Sequence, residues 1–283
     1  MKPAPFRYHA PKTIDEVVAL LDSLEDARVL AGGQSLMPMM NMRIVQPAHL
    51  IDINRVESLS YIRRQGDVLE MGAMTRQRDI EFSGLVKDTF PLMHEAIQHV
   101  GHRQTRNRGT LGGSLCQLDP SAELVVVAAA VDATVVVSSK AGTREIPFRD
   151  FPLGLMSPAI EATELVTAVR FPLWTQGHCF AFEEFARRHG DFAVASAAVL
   201  LEVERGRIGR ASVTVGGLDS LPQRLGGLEG REPSAQLFNE VAQGCDSLAS
   251  MNDAYLSAGY KKRVARAVVL RALEKAHGRA ARS

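Results

Sequence analysis

The amino-acid sequence predicts an α+β fold in two parts, and three observations carry that prediction. Segments with helical spacing and segments of strand character follow one another in irregular order, without the regular alternation of a doubly wound sheet. The pattern changes between Pro172 and His178: mixed elements precede it, and three strand-like runs followed by two helices come after. Hydrophobic residues make up 46% of the 283, enough for a core in each part. The expected domains are residues 1–175 and 176–283.

Thr13-Ile14-Asp15-Glu16 reads as a capping box. Ile14, Val17, Val18, Leu21 and Leu24 follow at helical spacing, so a helix is expected to end between Ser23 and Asp26. Ala27-Arg28-Val29-Leu30-Ala31 predicts a strand running into Gly32-Gly33-Gln34-Ser35, with a short Met-rich helix from Leu36 to Met42 behind it. Leu50 to Ile53 predicts a second strand. Tyr61 to Arg64 and Val68 to Met71 flank Gln65-Gly66-Asp67 as a hairpin. Thr75 is the expected cap of a helix through Ile80, and Pro91 opens a helix reaching Val100. Gly101 to Asp119 reads as a basic, glycine-rich loop. Pro120 to Ala130 predicts a helix, Thr134–Val137 and Thr143–Ile146 a hairpin across Lys140-Ala141-Gly142, and Leu165–Phe171 a strand closing the first part. Phe180–Phe185, Phe192–Val203 and Ile208–Gly216 follow as strands, the last two joined by a turn at Glu204-Arg205-Gly206-Arg207. Helices are expected near Ser234–Ser247 and Ala254–His277, the second with Tyr260, Val264, Ala267, Val268 and Leu270 as its core face.

Charge and composition exclude several function classes. Lys and Arg number 33 and Asp and Glu 32, so no global field draws the chain to nucleic acid or an anionic membrane. The longest apolar run, Leu124 to Val137, is broken by Asp132 and Thr134, which leaves no expected integral membrane segment. Met1 to Pro11 has no apolar signal-peptide core, so the cytoplasm is the expected location. Cys116, Cys179 and Cys245 are odd in number and scattered; each reads as a buried free thiol, and no metal site is expected in this chain.

Two segments stand out: Ala31-Gly32-Gly33-Gln34-Ser35-Leu36 and Thr110-Leu111-Gly112-Gly113-Ser114-Leu115. Successive glycines let backbone N–H groups turn toward one point and let a pyrophosphate approach closely. Hydroxyls of Ser35, Thr110 or Ser114 can add hydrogen bonds, and a helix start adds a favourable dipole. A lone Gly-Gly-x-Ser is otherwise a tight turn; two of them at strand ends favour a dinucleotide. Neither fits the G-x-G-x-x-G or G-x-x-x-x-G-K-[ST] pattern. Arg103, Arg106 and Arg108 neutralise phosphates, face a partner's carboxylates, or form a solvated basic loop. Asp119 either caps the next helix or touches a flavin hydroxyl or ring edge. Met37, Met39, Met40 and Met42 line a cofactor cavity or serve as adaptable packing. His94, His99 and His102 read as ordinary structural histidines.

Those two glycine segments, with Asp119-Pro120, resemble the paired FAD loops of the molybdenum hydroxylase flavoprotein subunits. The resemblance covers nearly the whole chain, including Phe6-Arg7-Tyr8-His9-Ala10-Pro11, Gly72-Ala73-Met74-Thr75 and Arg188-His189-Gly190-Asp191-Phe192-Ala193. It implies a vanillyl-alcohol-oxidase-type first domain of two subdomains with FAD between them, and a smaller C-terminal domain covering the ring. The implied FAD-contacting positions are Val29 to Leu36, Val100, Gly101, Thr105, Gly109, Thr110, Gly112, Gly113, Ser114, Asp119, Ser121, Glu123, Leu165 and Phe192, with no catalytic residue. Leu165 would lie near the ring. Phe192 stands where relatives carry a Tyr beside the flavin, which keeps stacking and removes a hydroxyl. Ser114 stands where many have Asn. Gln34 replaces the histidine that binds FAD covalently in the wider fold, so noncovalent FAD is implied.

The resemblance further implies a large molybdopterin subunit that oxidises the substrate, a small subunit with two [2Fe-2S] clusters, and a dimer of heterotrimers. Electrons would pass through FAD to an external acceptor. The Arg106-Asn107-Arg108-Gly109-Thr110 run is most similar to relatives acting on N-heteroaromatic rings; carbon monoxide, a purine or an aldehyde stand as alternatives. A free-standing flavin oxidase and a non-redox nucleotide-binding scaffold are the competing functions.

Overall fold

The computed structural model describes residues 1–280. The first unit is a three-stranded parallel sheet. It runs from β1 (Arg7–His9) through α1 (Ile14–Ser23), β2 (Ala27–Leu30) and α2 (Leu36–Asn41) to β3 (His49–Asp52), in the strand order β1-β3-β2. The Thr13 hydroxyl accepts from the Glu16 N–H at 3.2 Å, but the Glu16 carboxylate reaches back to Lys12 N and not to Thr13. Val17 and Leu21 of α1 pack on Ile51 of β3 with Ile53, Val56, Leu59, Met74 and Leu165. β1 has no alternating apolar pattern; two of its three residues are exposed, which is why periodicity alone misses it.

The second unit holds β4 (Ile62–Gln65), β5 (Val68–Gly72), α3 (Gln77–Phe82), α4 (Gly84–Thr89), α5 (Pro91–Ala96), α6 (Arg103–Arg108), α7 (Leu111–Gln117), α8 (Glu123–Ala130), β6 (Thr134–Ser139), β7 (Gly142–Pro147), β8 (Pro152–Gly154), β9 (Ser157–Pro158) and β10 (Leu165–Pro172). Its five-stranded antiparallel sheet has the order β4-β5-β10-β6-β7, so the strand that closes the unit lies at its centre. Three expectations change here. Thr75 does not cap α3: its hydroxyl donates to Tyr61 O at 2.8 Å, and Arg76 occupies the cap position. The helix at Pro91 stops at Ala96 and continues only as turns toward Val100. The segment read as a loop contains two short helices, α6 and α7.

The third unit is an antiparallel meander of β11 (Cys179–Phe185), β12 (Ala195–Glu204), β13 (Arg207–Gly216) and β14 (Gln223–Leu225), backed by α9 (Ala235–Gln243) and α10 (Ala258–Ala280). One face of β12 and β13 packs on α10 and α9. The other meets α8 and α5, where Phe182, Ala198 and Leu200 join the core of the second unit. The strand expected from Phe192 starts at Ala195, because residues 186–194 form a loop. The buried face of α10 is Ala265, Val268, Val269, Ala272, Leu273 and Ala276; of the residues expected there only Val268 is fully buried, and Ala267 is exposed. The helix begins at Ala258, four residues later than the pattern suggests. Burial pushes the Cys116 and Cys245 thiols up to about 12, so both are neutral thiols. No helix among the described residues is long and apolar enough to cross a membrane.

Candidate functional site

β2 delivers Gly32-Gly33-Gln34-Ser35 at its carboxyl end. Gly33 has φ +75°, a conformation that strains any residue with a Cβ. The backbone N–H groups of Gly32, Gly33, Gln34 and Ser35 donate to nothing among the described residues. The Gln34 amide folds back to Gly32 O at 3.3 Å. Ser35 sits at the N-cap of α2 with an exposed hydroxyl that makes no capping bond. Val29, Leu30 and Leu36 are half-buried beside it.

The second glycine segment differs. It lies at a helix start, not at a strand end. Thr110 caps α7, its Oγ1 accepting from Gly113 N at 3.1 Å. Leu111 N donates to Thr75 O, Gly112 N to Ala73 O and Ser114 N to Thr110 O. Every amide of this turn therefore has a partner within the protein. A Cβ at Gly112 would lie 2.7 Å from that of Ala73, so this glycine serves close packing against the end of β5. The side chains keep their capacity: Ser114 is half-buried and its hydroxyl makes no hydrogen bond among the described residues. Val100, Gly101, Thr105 and Gly109 join the segment through α6, with Gly109 N donating to Thr105 O at 2.7 Å.

The two segments touch. A Cβ on Gly32 would collide with the Arg108 carbonyl, and one on Gly113 would sit 3.7 Å from the Ala31 Cβ. Asn54 Nδ2 donates to Ala31 O at 2.9 Å and to Asp52 Oδ1 at 2.5 Å. Arg76 donates to Asn54 Oδ1 at 2.5 Å and, through its other terminal nitrogen, to the Arg108 carbonyl. Arg106 is taken up by a paired contact with Glu81 at 2.8 and 3.1 Å and by Val100 O, so it holds α6 to α3. Arg103 and Arg108 are exposed and make no side-chain hydrogen bond or ion pair among the described residues. Burial pushes the Asp52 carboxyl up, but hydrogen bonds from Tyr8 and Asn54, with the Arg108 cation, outweigh it and hold the group below its ordinary value, favouring the carboxylate.

Behind α7, Leu118 adopts φ +48° and turns the chain into Asp119. Asp119 does not cap α8, whose N-cap is Ala122; its Oδ1 accepts from Ser121 N at 2.9 Å and holds the turn before the helix. Glu123, in the first turn of α8, is only 6% exposed, and burial pushes its carboxyl up to about 8. It is a neutral acid at pH 7, able to donate a hydrogen bond. Nearby, His99 Nδ1 lies 3.4 Å from Glu184 Oε1, and the buried Glu184 Oε2 has no hydrogen-bond partner among the described residues. The Met cluster divides: Met40 is core, Met42 is exposed, and Met37 lies against Gly33.

Leu165 is buried in the cluster against which Val29 and Ala31 pack. Phe192 is 68% exposed on the 186–194 loop. That loop is anchored at the start of α6: Gly190 packs on the ring of His102, the α6 N-cap, and the His102 and His189 rings stand 6.1 Å apart. The two glycine segments meet through Ala31, Gly32, Arg108 and Gly113, while Asp119, Ser121 and Glu123 lie behind α7 and Phe192 is exposed on the 186–194 loop. The sequence reading does not single out Asn54, Arg76 or Glu184; it reads His99 as an ordinary structural histidine and includes Ala73 only within Gly72-Ala73-Met74-Thr75. No local pattern marks Asn54, Arg76 or Glu184, whose contacts are long-range.

Two family models match. Residues 4–174 match the FAD binding domain in molybdopterin dehydrogenase, and residues 180–276 match the CO dehydrogenase flavoprotein C-terminal domain. The chain belongs to this flavoprotein family. The beta subunit of caffeine dehydrogenase from a Pseudomonas strain is 37% identical over 99% of this chain and 97% of that protein. The fold matches a chain of carbon monoxide dehydrogenase from Hydrogenophaga pseudoflava with a TM-score of 0.95, at 35% identity and covering 99% of both. It matches a chain of quinoline 2-oxidoreductase from Pseudomonas putida equally well, at 31% identity and covering 99% and 100%. The family's FAD fits the residues present: a strand-end glycine loop offers four unused N–H donors, and its φ and close contacts exclude side chains that would fill the cradle.

Proposed function

We propose that this chain is the FAD-carrying electron-transfer subunit of a molybdenum hydroxylase, and that residues 1–175 form its FAD-binding domain and 176–283 a domain that covers the flavin. The four unused N–H groups of Gly32 to Ser35 carry this reading, because they are donors that only a ligand or solvent can satisfy. They would hold the pyrophosphate. The Thr110 and Ser114 hydroxyls would add donors from the second segment, and Arg108 a counter-charge. Glu123 would donate from its neutral carboxyl, Leu165 would support the ring from below, and the Phe192 ring would stack at its edge. Val100, Gly101, Thr105, Gly109, Asp119 and Ser121 would shape the walls. Gln34 stands in the stretch where the wider fold carries a covalently bound histidine, so FAD would be held noncovalently.

FAD, when bound, supplies the redox chemistry; the chain's residues fix its place, exclude water from one side and supply hydrogen bonds that tune it. The partners would be a large molybdopterin subunit and a small subunit with two [2Fe-2S] clusters, assembled as a dimer of heterotrimers in the cytoplasm. An N-heteroaromatic compound is the favoured substrate class, in line with relatives named for caffeine, nicotine and quinoline.

The test is purification of the tagged chain under gentle conditions, with identification of flavin, metals and companion chains. FAD with two other chains, iron, sulfide and molybdenum is the expected outcome. A yellow chain alone that oxidises a small alcohol or amine would replace this reading with a free-standing oxidase. A colourless chain that binds ADP and no flavin would replace it with a scaffold.

A further inference from the structure

We propose that Asn54 and Arg76 are positioning residues that clamp the two glycine segments together and so preset the cradle for the FAD pyrophosphate; this rests on the FAD reading above. Neither residue is among the positions that the family resemblance implies. Asn54 stands just past β3 and Arg76 just before α3, so the clamp joins the parallel sheet to the antiparallel one.

The chemistry fixes how the clamp is oriented. The Asn54 amide nitrogen faces two acceptors, Ala31 O at 2.9 Å and Asp52 Oδ1 at 2.5 Å. Its oxygen faces a cation, the Arg76 guanidinium, at 2.5 Å. A flipped amide would set oxygen against oxygen and donor against donor, so one orientation is allowed. Asp52 is itself held by the Tyr8 hydroxyl at 2.6 Å and by Asn54 N at 2.9 Å. Arg76 then reaches the Arg108 carbonyl, the atom against which Gly32 packs without room for a Cβ. The chain Tyr8–Asp52–Asn54–Arg76–Arg108 therefore pins the carbonyl of Ala31 on one side and that of Arg108 on the other. In a trans peptide the C=O and the next N–H point opposite ways, so holding the Ala31 carbonyl on Asn54 turns the Gly32 N–H away from it, and the Arg108 carbonyl closes the side of Gly32 where a Cβ would lie. Without the clamp the loop keeps its glycines but loses the contact that fixes which way its peptides point. A guanidinium is required, because two acceptors in different directions need a rigid fork that a single ammonium does not supply.

The test uses the full chain, stripped of flavin and refilled, in three forms: wild type, Arg76→Lys and Asn54→Ser, with the double variant closing the cycle. Affinities for FAD and for riboflavin, which lacks the pyrophosphate, are read by fluorescence, together with the melting temperature of the flavin-free chain. The expected result is a loss of at least ~10-fold in FAD affinity for each single variant, a double variant no worse than the weaker single, and riboflavin affinity changed by less than ~2-fold. Equal losses for FAD and riboflavin, additive losses, or unchanged FAD affinity would each overturn the clamp. So would single variants that fail to fold, since the pair would then be a folding element. A wild-type chain that binds no FAD would instead overturn the flavin reading itself.

Discussion

Glu123 gives the sharpest pH prediction. Its carboxyl is 6% exposed, in the first turn of α8, and burial raises it from 4.5 to about 8. Nearby Glu184 and Asp119 push it the same way, while His99 opposes them. A carboxyl raised in the folded state binds a proton that the unfolded chain has released between about pH 4.5 and 8. Folding stability therefore falls as pH rises through that window, and the full penalty is present above about 8. At 1.36 kcal/mol per pH unit the limit is about 5 kcal/mol, and screening by nearby polar groups brings the expectation to ~2–4 kcal/mol. His99 adds in the same direction: its hydrogen bond to Glu184 raises it above 6.5, and that contribution is lost as pH rises. Glu123→Gln removes the larger part. Urea denaturation of the flavin-free chain at pH 5 and pH 9 should show a steep loss for wild type and a much smaller one for the variant. Parallel losses in the two proteins would refute the reasoning, because the carboxyl would then be charged and solvated already at neutral pH.

Three further predictions follow from the same geometry. Glu70 is 2% exposed; burial pushes its carboxyl up, but hydrogen bonds from Tyr61, Arg170 and Arg63 outweigh that and hold it at about 2. Glu70→Gln should cost ~2–4 kcal/mol at pH 7 and remove a stability loss that wild type shows as pH falls from about 4.5 toward 2, read from urea midpoints; an unchanged acid profile refutes it. Gly32→Ala should push the first loop off the Arg108 carbonyl and cut FAD occupancy at least ~10-fold, read from the flavin-to-protein absorbance ratio, while far-ultraviolet circular dichroism stays native. Phe192→Ala should change stability by less than ~0.5 kcal/mol, since the ring is exposed, yet shift the flavin spectrum or potential; an unaltered flavin removes Phe192 from the site.

The sheets and helices with strong local signals were legible in the sequence. Thr13 caps α1, Gly66 and Gly142 mark hairpins, and the 204–207 turn joins β12 to β13. What failed did so for identifiable reasons. β1 is three residues long and gains its strand form only from pairing with β3. α6 and α7 are short, basic or glycine-rich, and form because the Thr110 hydroxyl, Ala73 O and Thr75 O take up the N–H groups of α7. The site's glycines were legible, but its supports were not: Asn54 and Arg76 act across 22 residues, and Glu184 reaches His99 from another sheet.

The two segments, Gly-Gly-Gln-Ser and Gly-Gly-Ser, look alike in sequence and do different physical work. In the first, the N–H groups of Gly32 to Ser35 donate to nothing among the described residues, and Gly33 needs its left-handed backbone. In the second, the amides from Leu111 to Ser114 are all spoken for, and Gly112 is small because Ala73 lies against it. A symmetric picture of two equivalent phosphate loops therefore assigns too much to the second. An anion held here would take its backbone donors from the strand-end loop and its hydroxyls from Thr110 and Ser114. Truncating those hydroxyls should then weaken FAD binding modestly, by ~3–10-fold each, whereas distorting the first loop should remove it. Equal effects from the two segments, in the same fluorescence titration, would restore the symmetric picture.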